Sequence, residues 1–143
     1  MIKQENRKTG NLVDELAERV IGAAMRVHKE LGPGFLESIY EEALAVEFSE
    51  SKIRYERQKP LAILYREHRV GEHRLDFLVD NALIVELKAI SSLENIHFAI
   101  LRSYLKAASI DDALLLNFAT MPLTIKRVGR EYTGASTRLG IHV

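Results

Sequence analysis

The chain has no cysteine among its 143 residues and only three prolines. Without thiols there is no disulfide scaffold, no thiolate zinc site and no cysteine nucleophile. The same absence fits a reducing compartment. An excess of either charge is also missing: 20 Lys plus Arg stand against 20 Asp plus Glu, for a formal net charge of zero. That argues against a histone-like mass binder of nucleic acid, but leaves room for a local basic face. No apolar run approaches the roughly 20 residues that a membrane span needs. Met1 to Asn11 is polar and lacks the apolar stretch of a signal peptide. A cytoplasmic protein with no membrane partner is the expectation. Gly-rich phosphate loops, a GxSxG elbow and paired metal-binding His motifs are absent too, so no organic cofactor is expected.

What is present is an ordinary globular balance, 47% hydrophobic and 28% charged. The length suits one domain. It is placed at 12–130, after a frayed segment 1–11 and before a tail 131–143. Neutrality is a sum over unlike regions. Asp14 to Glu50 holds nine acids against three bases, whereas Lys52 to Arg74 holds seven bases against three acids.

Periodicity divides the domain further. Asn11 reads as an N-cap, and Leu12, Leu16, Val20, Ala23, Ala24, Val27 and Leu31 form one face of a helix over 12–31. Gly32-Pro33-Gly34 breaks it. A second helix, 35–51, carries the stripe Leu36, Ile39, Tyr40, Ala43, Leu44 and Phe48. The period then shortens. Tyr55 to Lys59 reads as a short extended segment and Leu61 to Tyr65 as a strand. Strands over 72–79 and 83–89 follow, joined by Asp80-Asn81-Ala82, whose residues tolerate positive φ. A third helix, 93–108, faces the core through Leu93, Ile96, Ala99, Ile100, Tyr104 and Ala107. A buried strand over 113–118 and an edge strand over 123–128 complete the order α-α-β-β-β-α-β-β. Each proline is expected at an element boundary. The predicted fold class is α/β in the mixed α+β sense: a central mixed sheet flanked by helices.

Glu86 and Lys88 interrupt an otherwise apolar strand and, two positions apart, share a face. A buried carboxylate costs several kcal/mol unless paired or metal-bound. One reading is a simple Glu–Lys pair at a wet strand end. A three-residue loop at 80–82 adds another, because it sets Val79 opposite Leu83, Phe77 opposite Val85 and Asp76 opposite Glu86. Two carboxylates about 5 Å apart then repel unless a cation joins them. A two-residue loop would instead put them on opposite faces. Two carboxylates, a backbone carbonyl and waters are what Mg²⁺ prefers, and such an ion polarises a phosphate oxygen and acidifies a bound water.

With Asp76 followed by Glu86-Leu87-Lys88, and with Gly34-Phe35-Leu36-Glu37-Ser38-Ile39-Tyr40 upstream, the sequence resembles the PD-(D/E)xK nuclease superfamily. More narrowly it resembles the small bacterial GxxExxY proteins. The likeness runs from about Val20 to Val128. It implies a restriction-endonuclease-like core and a Mg²⁺-dependent nuclease, with Mn²⁺ as a possible substitute. It also implies that Glu37 joins Asp76, Glu86 and the Leu87 carbonyl around the metal, with Lys88 orienting the attacking water. The residue-level alternative for Glu37 is a first-turn carboxylate favoured by the helix dipole. Similar proteins carry a Gln one helical turn before Tyr104. Ile100 stands there instead, which motivates a second reading, a degenerate nuclease fold that binds nucleic acid or protein without cutting.

The remaining candidates are basic or polar. Arg57, Lys59, Arg66, Arg69 and Arg74, interleaved with Tyr65, are candidate nucleic-acid contacts, as are Lys126 and Arg127. The alternative is a solvated charged face. His28 reads as a helix-end group satisfied by carbonyls, and His97 as a cap or helix-surface residue. Asn117 can bond loop backbone or approach the site, and Tyr40 reads as core with a bonded hydroxyl. A homodimer, with the partner's basic face completing the groove, fits a small domain of this kind.

Overall fold

The first two helices are set by the Gly32-Pro33-Gly34 break. The computed structural model describes residues 2–130, with side chains from Leu12 onward. The tail expected at 131–143 lies outside the described residues. Helix α1 (Ile2–Leu31) ends at Gly32, whose φ is +70°, and Gly34 at +116° redirects the chain into α2 (Glu37–Glu50). Glycine takes such angles at least cost, and the +116° of Gly34 is open to little else. Strands β1 (Tyr55–Tyr65), β2 (His68–Val79) and β3 (Leu83–Lys88) follow, then α3 (Asn95–Ala108), β4 (Asp112–Asn117) and β5 (Thr124–Gly129). The five strands form one sheet in sequence order. Strands β3 and β4 are parallel, joined through α3, and every other neighbouring pair is antiparallel. The fold is mixed α+β with helices on both faces of the sheet, as the element order predicts. No helix among the described residues is long and apolar enough to cross a membrane.

Strand β3 is the middle of the molecule. Leu83, Val85 and Leu87 point into a core shared with α1 and α2, built on Val20, Ala24, Val27, Tyr40, Leu44 and Phe48. Ile84 points to the other layer, with Leu101 and Leu105 of α3 and with Leu75, Leu78, Ala113 and Leu115. A strand covered on both faces has to be apolar on both. Glu86 is therefore a buried exception, at 8% exposure.

Several sequence expectations need correction. Helix α1 begins at Ile2, so Asn11 lies inside it rather than capping it. Residues 2–8 include Lys, Gln, Glu and Arg, all good helix formers, and no proline. Strand β1 is continuous from Tyr55 to Tyr65, with Pro60 inside it. A proline is tolerated there because β1 is an edge strand, where one backbone donor can be missing. The inner faces of α1 and α2 are largely those expected, with Leu16, Val20, Ala23, Ala24, Val27, Tyr40, Leu44 and Phe48 buried, whereas the face of α3 is rotated and the ends of the other stripes are exposed. Leu12, Leu36, Ile39, Ile96 and Ile100 are exposed, while Glu41, Leu101 and Leu105 are buried. Helix α3 is apolar around most of its circumference, so periodicity alone cannot select its inner face.

Candidate metal centre

The β2–β3 hairpin delivers the central pair. Asp80 and Asn81 take positive φ, of 50° and 57°, and close the three-residue loop. The register is Val79 with Leu83, Leu78 with Ile84 and Phe77 with Val85. Asp76 and Glu86 come next, as expected, but the backbone ladder stops before them. Side chains replace it. The Asp76 N–H donates to Glu86 Oε2 at 2.9 Å, and the Leu87 N–H donates to Asp76 Oδ2 at 2.9 Å. Each carboxylate is thus held by backbone of the opposite strand or its neighbour.

The far end of β3 is pinned with equal care. Lys88 pairs with Asn117 in the parallel register, and the Phe118 N–H donates to the Lys88 carbonyl at 2.9 Å. Asn117, fully buried, accepts from the N–H groups of Ile90 and Ala119 and donates to the Ile90 carbonyl. Its role is to bond loop backbone, which fixes where Lys88 leaves the sheet. Phe118 stacks on Tyr40 with ring centroids 4.7 Å apart. The Tyr40 hydroxyl donates to the Gly32 carbonyl at 2.6 Å and accepts from the Phe35 N–H at 3.1 Å. That anchors the chain immediately before Glu37. His28 Nε2 lies 2.9 Å from the Thr120 carbonyl oxygen, the carbonyl-satisfied arrangement.

Electrostatics join these groups. Burial pushes the Glu86 carboxyl up to about 8, and the Asp76 charge adds to the rise. Asp76 is also raised, by burial first and by Glu41, against the opposing Leu87 N–H. Glu37 is raised by partial burial and by Asp76, while Lys88 pulls it down. Glu37 lies at the exposed start of α2 and senses Asp76, Glu41 and Lys88 through their charge. Among the described residues, no three or more His, Asp or Glu side chains are gathered closely enough to close on one ion. The structure therefore interlocks Asp76 and Glu86, sets Lys88 beside them, and leaves Glu37 at the rim.

Three neighbours escaped the sequence reading. Glu41, one turn after Glu37, accepts Arg57 Nε at 2.7 Å and Gln58 Nε2 at 3.0 Å. Gln58 has φ of +53° and reaches from Glu41 towards Asp76 Oδ1, at 3.4 Å. The i, i+4 spacing of Glu37 and Glu41 was a visible signal, whereas Gln58 declares itself only once β1 is placed against β2. His73 is the third. Simple alternation puts His73 and Asp76 on opposite faces of β2. However, Leu75 and Leu78 both join the α3-side core, so the strand changes face around Asp76. His73 consequently stacks on Tyr104 at 3.8 Å and lines a cleft of about 120 Å³ with Glu86, Lys88, His97, Ile100, Leu101, Tyr104 and Leu115. His97 is the N3 partner in the α3 capping box, accepting the Glu94 N–H at Nδ1.

The expected basic contacts are mostly held in ion pairs. Arg57 binds Glu41 and Glu42, Lys59 binds Glu56, Arg69 binds Glu72, and Arg127 binds Asp14 and Asp112. Arg74 donates to the Gln58 carbonyl, and Arg66 lies over the Tyr65 ring. Lys126 differs in position. Glu86 is in register with Leu115, and Leu115 with Lys126, so the three form one row on the α3 face. Neither a curated protein nor a solved structure matches the chain. A family model does, over residues 14–128, and with that match the chain belongs to the PD-(D/E)XK nuclease superfamily.

Proposed function

We propose that this chain is a divalent-metal-dependent nuclease of the GxxExxY type that hydrolyses phosphodiester bonds in nucleic acid. The observation that carries the reading is the interlocked Asp76–Glu86 pair, a half-buried and a buried carboxylate held together beside Lys88. Buried like charges at such proximity are destabilising by themselves and suit a shared cation. The donor set fits Mg²⁺ or Mn²⁺, since every candidate ligand is oxygen and no thiolate exists.

Asp76 and Glu86 would hold the ion, with the Leu87 carbonyl and Glu37 completing the protein's share. A bound divalent ion supplies a polarised phosphate oxygen and a more acidic water. The chain's own groups do the rest. The Lys88 ammonium orients the attacking water and offsets negative charge as it develops on the phosphate. The Asp76–Leu87 and Glu86–Asp76 backbone bonds keep both carboxylates from rotating away. Gln58 buttresses Asp76 from the α2 side. The lack of thiols is in keeping with a cytoplasmic setting, and a homodimer is the assembly this small site would accommodate.

Glu86→Ala and Lys88→Ala should each abolish metal-dependent cleavage of DNA and RNA substrates while circular dichroism stays that of the parent. Unchanged cleavage in both variants would sink the mechanism. A second reading, binding without cleavage, is favoured by one observation: Ile100 presents an apolar side chain to the cleft where similar proteins carry Gln. Titration calorimetry separates the two. Nucleic-acid binding with no uptake of Mg²⁺ or Mn²⁺ favours the second.

A further inference from the structure

His73 occupies the α3-side wall of the cleft, facing Glu86. Its Nε2 is buried and has no hydrogen-bond partner, although buried polar atoms are nearly always paired. Glu86 Oε1 lies 3.9 Å from it. That is too long for a hydrogen bond. The Glu86 carboxylate is also divided: Oε2 takes the Asp76 N–H, and Oε1 is the oxygen turned to His73. The imidazole ring is stacked on Tyr104 with planes 15° apart, which favours this orientation.

An unpaired ring nitrogen and a carboxylate oxygen, fixed at this separation, match two donors on one cation. Zn²⁺, a first-row ion that takes both donors, binds imidazole nitrogen and carboxylate oxygen at about 2.0–2.2 Å each. Two donors on one ion are therefore separated by about 3–4.3 Å, depending on the angle between them. We propose that His73 Nε2 and Glu86 Oε1 form a mixed nitrogen–oxygen cation position on the α3 side of the pair. This makes the site prefer a transition ion such as Mn²⁺ to Mg²⁺. Imidazole suits such ions, whereas Mg²⁺ keeps to oxygen. The inference rests on the reading of Glu86 as a metal ligand, and gives that site a selectivity its oxygen donors alone would lack.

Pulsed electron paramagnetic resonance of the intact chain loaded with Mn²⁺ tests it directly. The parent should show ¹⁴N coupling from a bound imidazole. His73→Phe keeps a ring against Tyr104 and should lose that coupling, while His97→Gln should retain it. Calorimetry should show His73→Phe weakening Mn²⁺ by about tenfold or more, with Mg²⁺ affinity changed less than about twofold. Bound Mn²⁺ without nitrogen coupling, or coupling that survives in His73→Phe, overturns this inference and leaves the carboxylate site standing. Equal losses for the two ions also overturn it. No uptake of Mn²⁺ by the parent overturns both.

Discussion

Glu86 shows how a single residue can be costly to the fold and useful to the site. Its carboxyl sits in a strand whose other residues are Leu, Ile, Val and the terminal Lys88, and burial raises it from an ordinary value of 4.5 to about 8. The folded chain therefore keeps a proton that the unfolded chain has lost between those values. The contribution of this group to the stability of the metal-free protein is fully present below pH 4.5 and is lost as pH rises towards 8. Asp76, also raised, adds in the same direction. Thermal melts in chelator should fall steadily from pH 5 to pH 8, by a few kcal/mol at most. Glu86→Gln should flatten that decline. A melt profile that rises over this range would contradict the assignment. Glu41 offers a different residue-scale test. Its carboxylate is 11% exposed and serves both Arg57 and Gln58. Glu41→Ala should cost about 1–3 kcal/mol in urea denaturation, since it strands a guanidinium and an amide. Glu42 still partners Arg57, which limits the loss.

At the scale of elements, the hairpin and the inner faces of α1 and α2 were legible, and the face of α3 was not. Asp80-Asn81-Ala82 is turn chemistry, and its three residues fix the β2–β3 register that brings Asp76 to Glu86. Short-range stereochemistry decides such a loop, so sequence suffices. The inner face of α3 is decided by what it packs on. Leu101 and Leu105 win over Ile96 and Ile100 because Leu75, Ile84 and Leu115 lie beneath them. The switch of face in β2, which brings His73 to the cleft, likewise depends on a partner strand that the sequence does not display. The join between α1 and α2 yields the element-scale prediction. Tyr40 links Gly32 and Phe35 through one hydroxyl and stacks on Phe118. Tyr40→Phe keeps the ring and removes both hydrogen bonds. The expected cost is about 1–3 kcal/mol, with faster amide exchange at Phe35 and reduced activity from a less firmly placed Glu37. Exchange at Phe35 equal to the parent would show that the hydroxyl does not hold this loop.

For the whole molecule, zero net charge acquires a structural meaning. The acidic helical half and the basic strands are folded against each other. Arg57 meets Glu41 and Glu42, and Arg127 meets Asp14 across 113 residues of chain. A phosphate backbone must compete with these carboxylates for the same guanidinium groups. Among the seven basic candidates, Lys126 alone shares a sheet row with Glu86, and adjacent strands are about 4.8 Å apart. A cation two strands from the carboxylate pair is well placed to receive a neighbouring phosphate of a bound strand. Lys126→Ala should therefore weaken nucleic-acid binding more than Arg127→Ala, which mainly frees Asp14 and Asp112. Arg66 and Arg74, exposed and outside ion pairs with Asp or Glu among the described residues, should fall between the two. Each phosphate contact contributes a slope of about −0.7 to −0.9 to log K against log salt, so three contacts give about −2 to −3. Binding measured by anisotropy over a salt series checks this. A slope twice as steep, or equal losses in Lys126→Ala and Arg127→Ala, would mean that the ion pairs open on binding and that the whole basic surface is engaged.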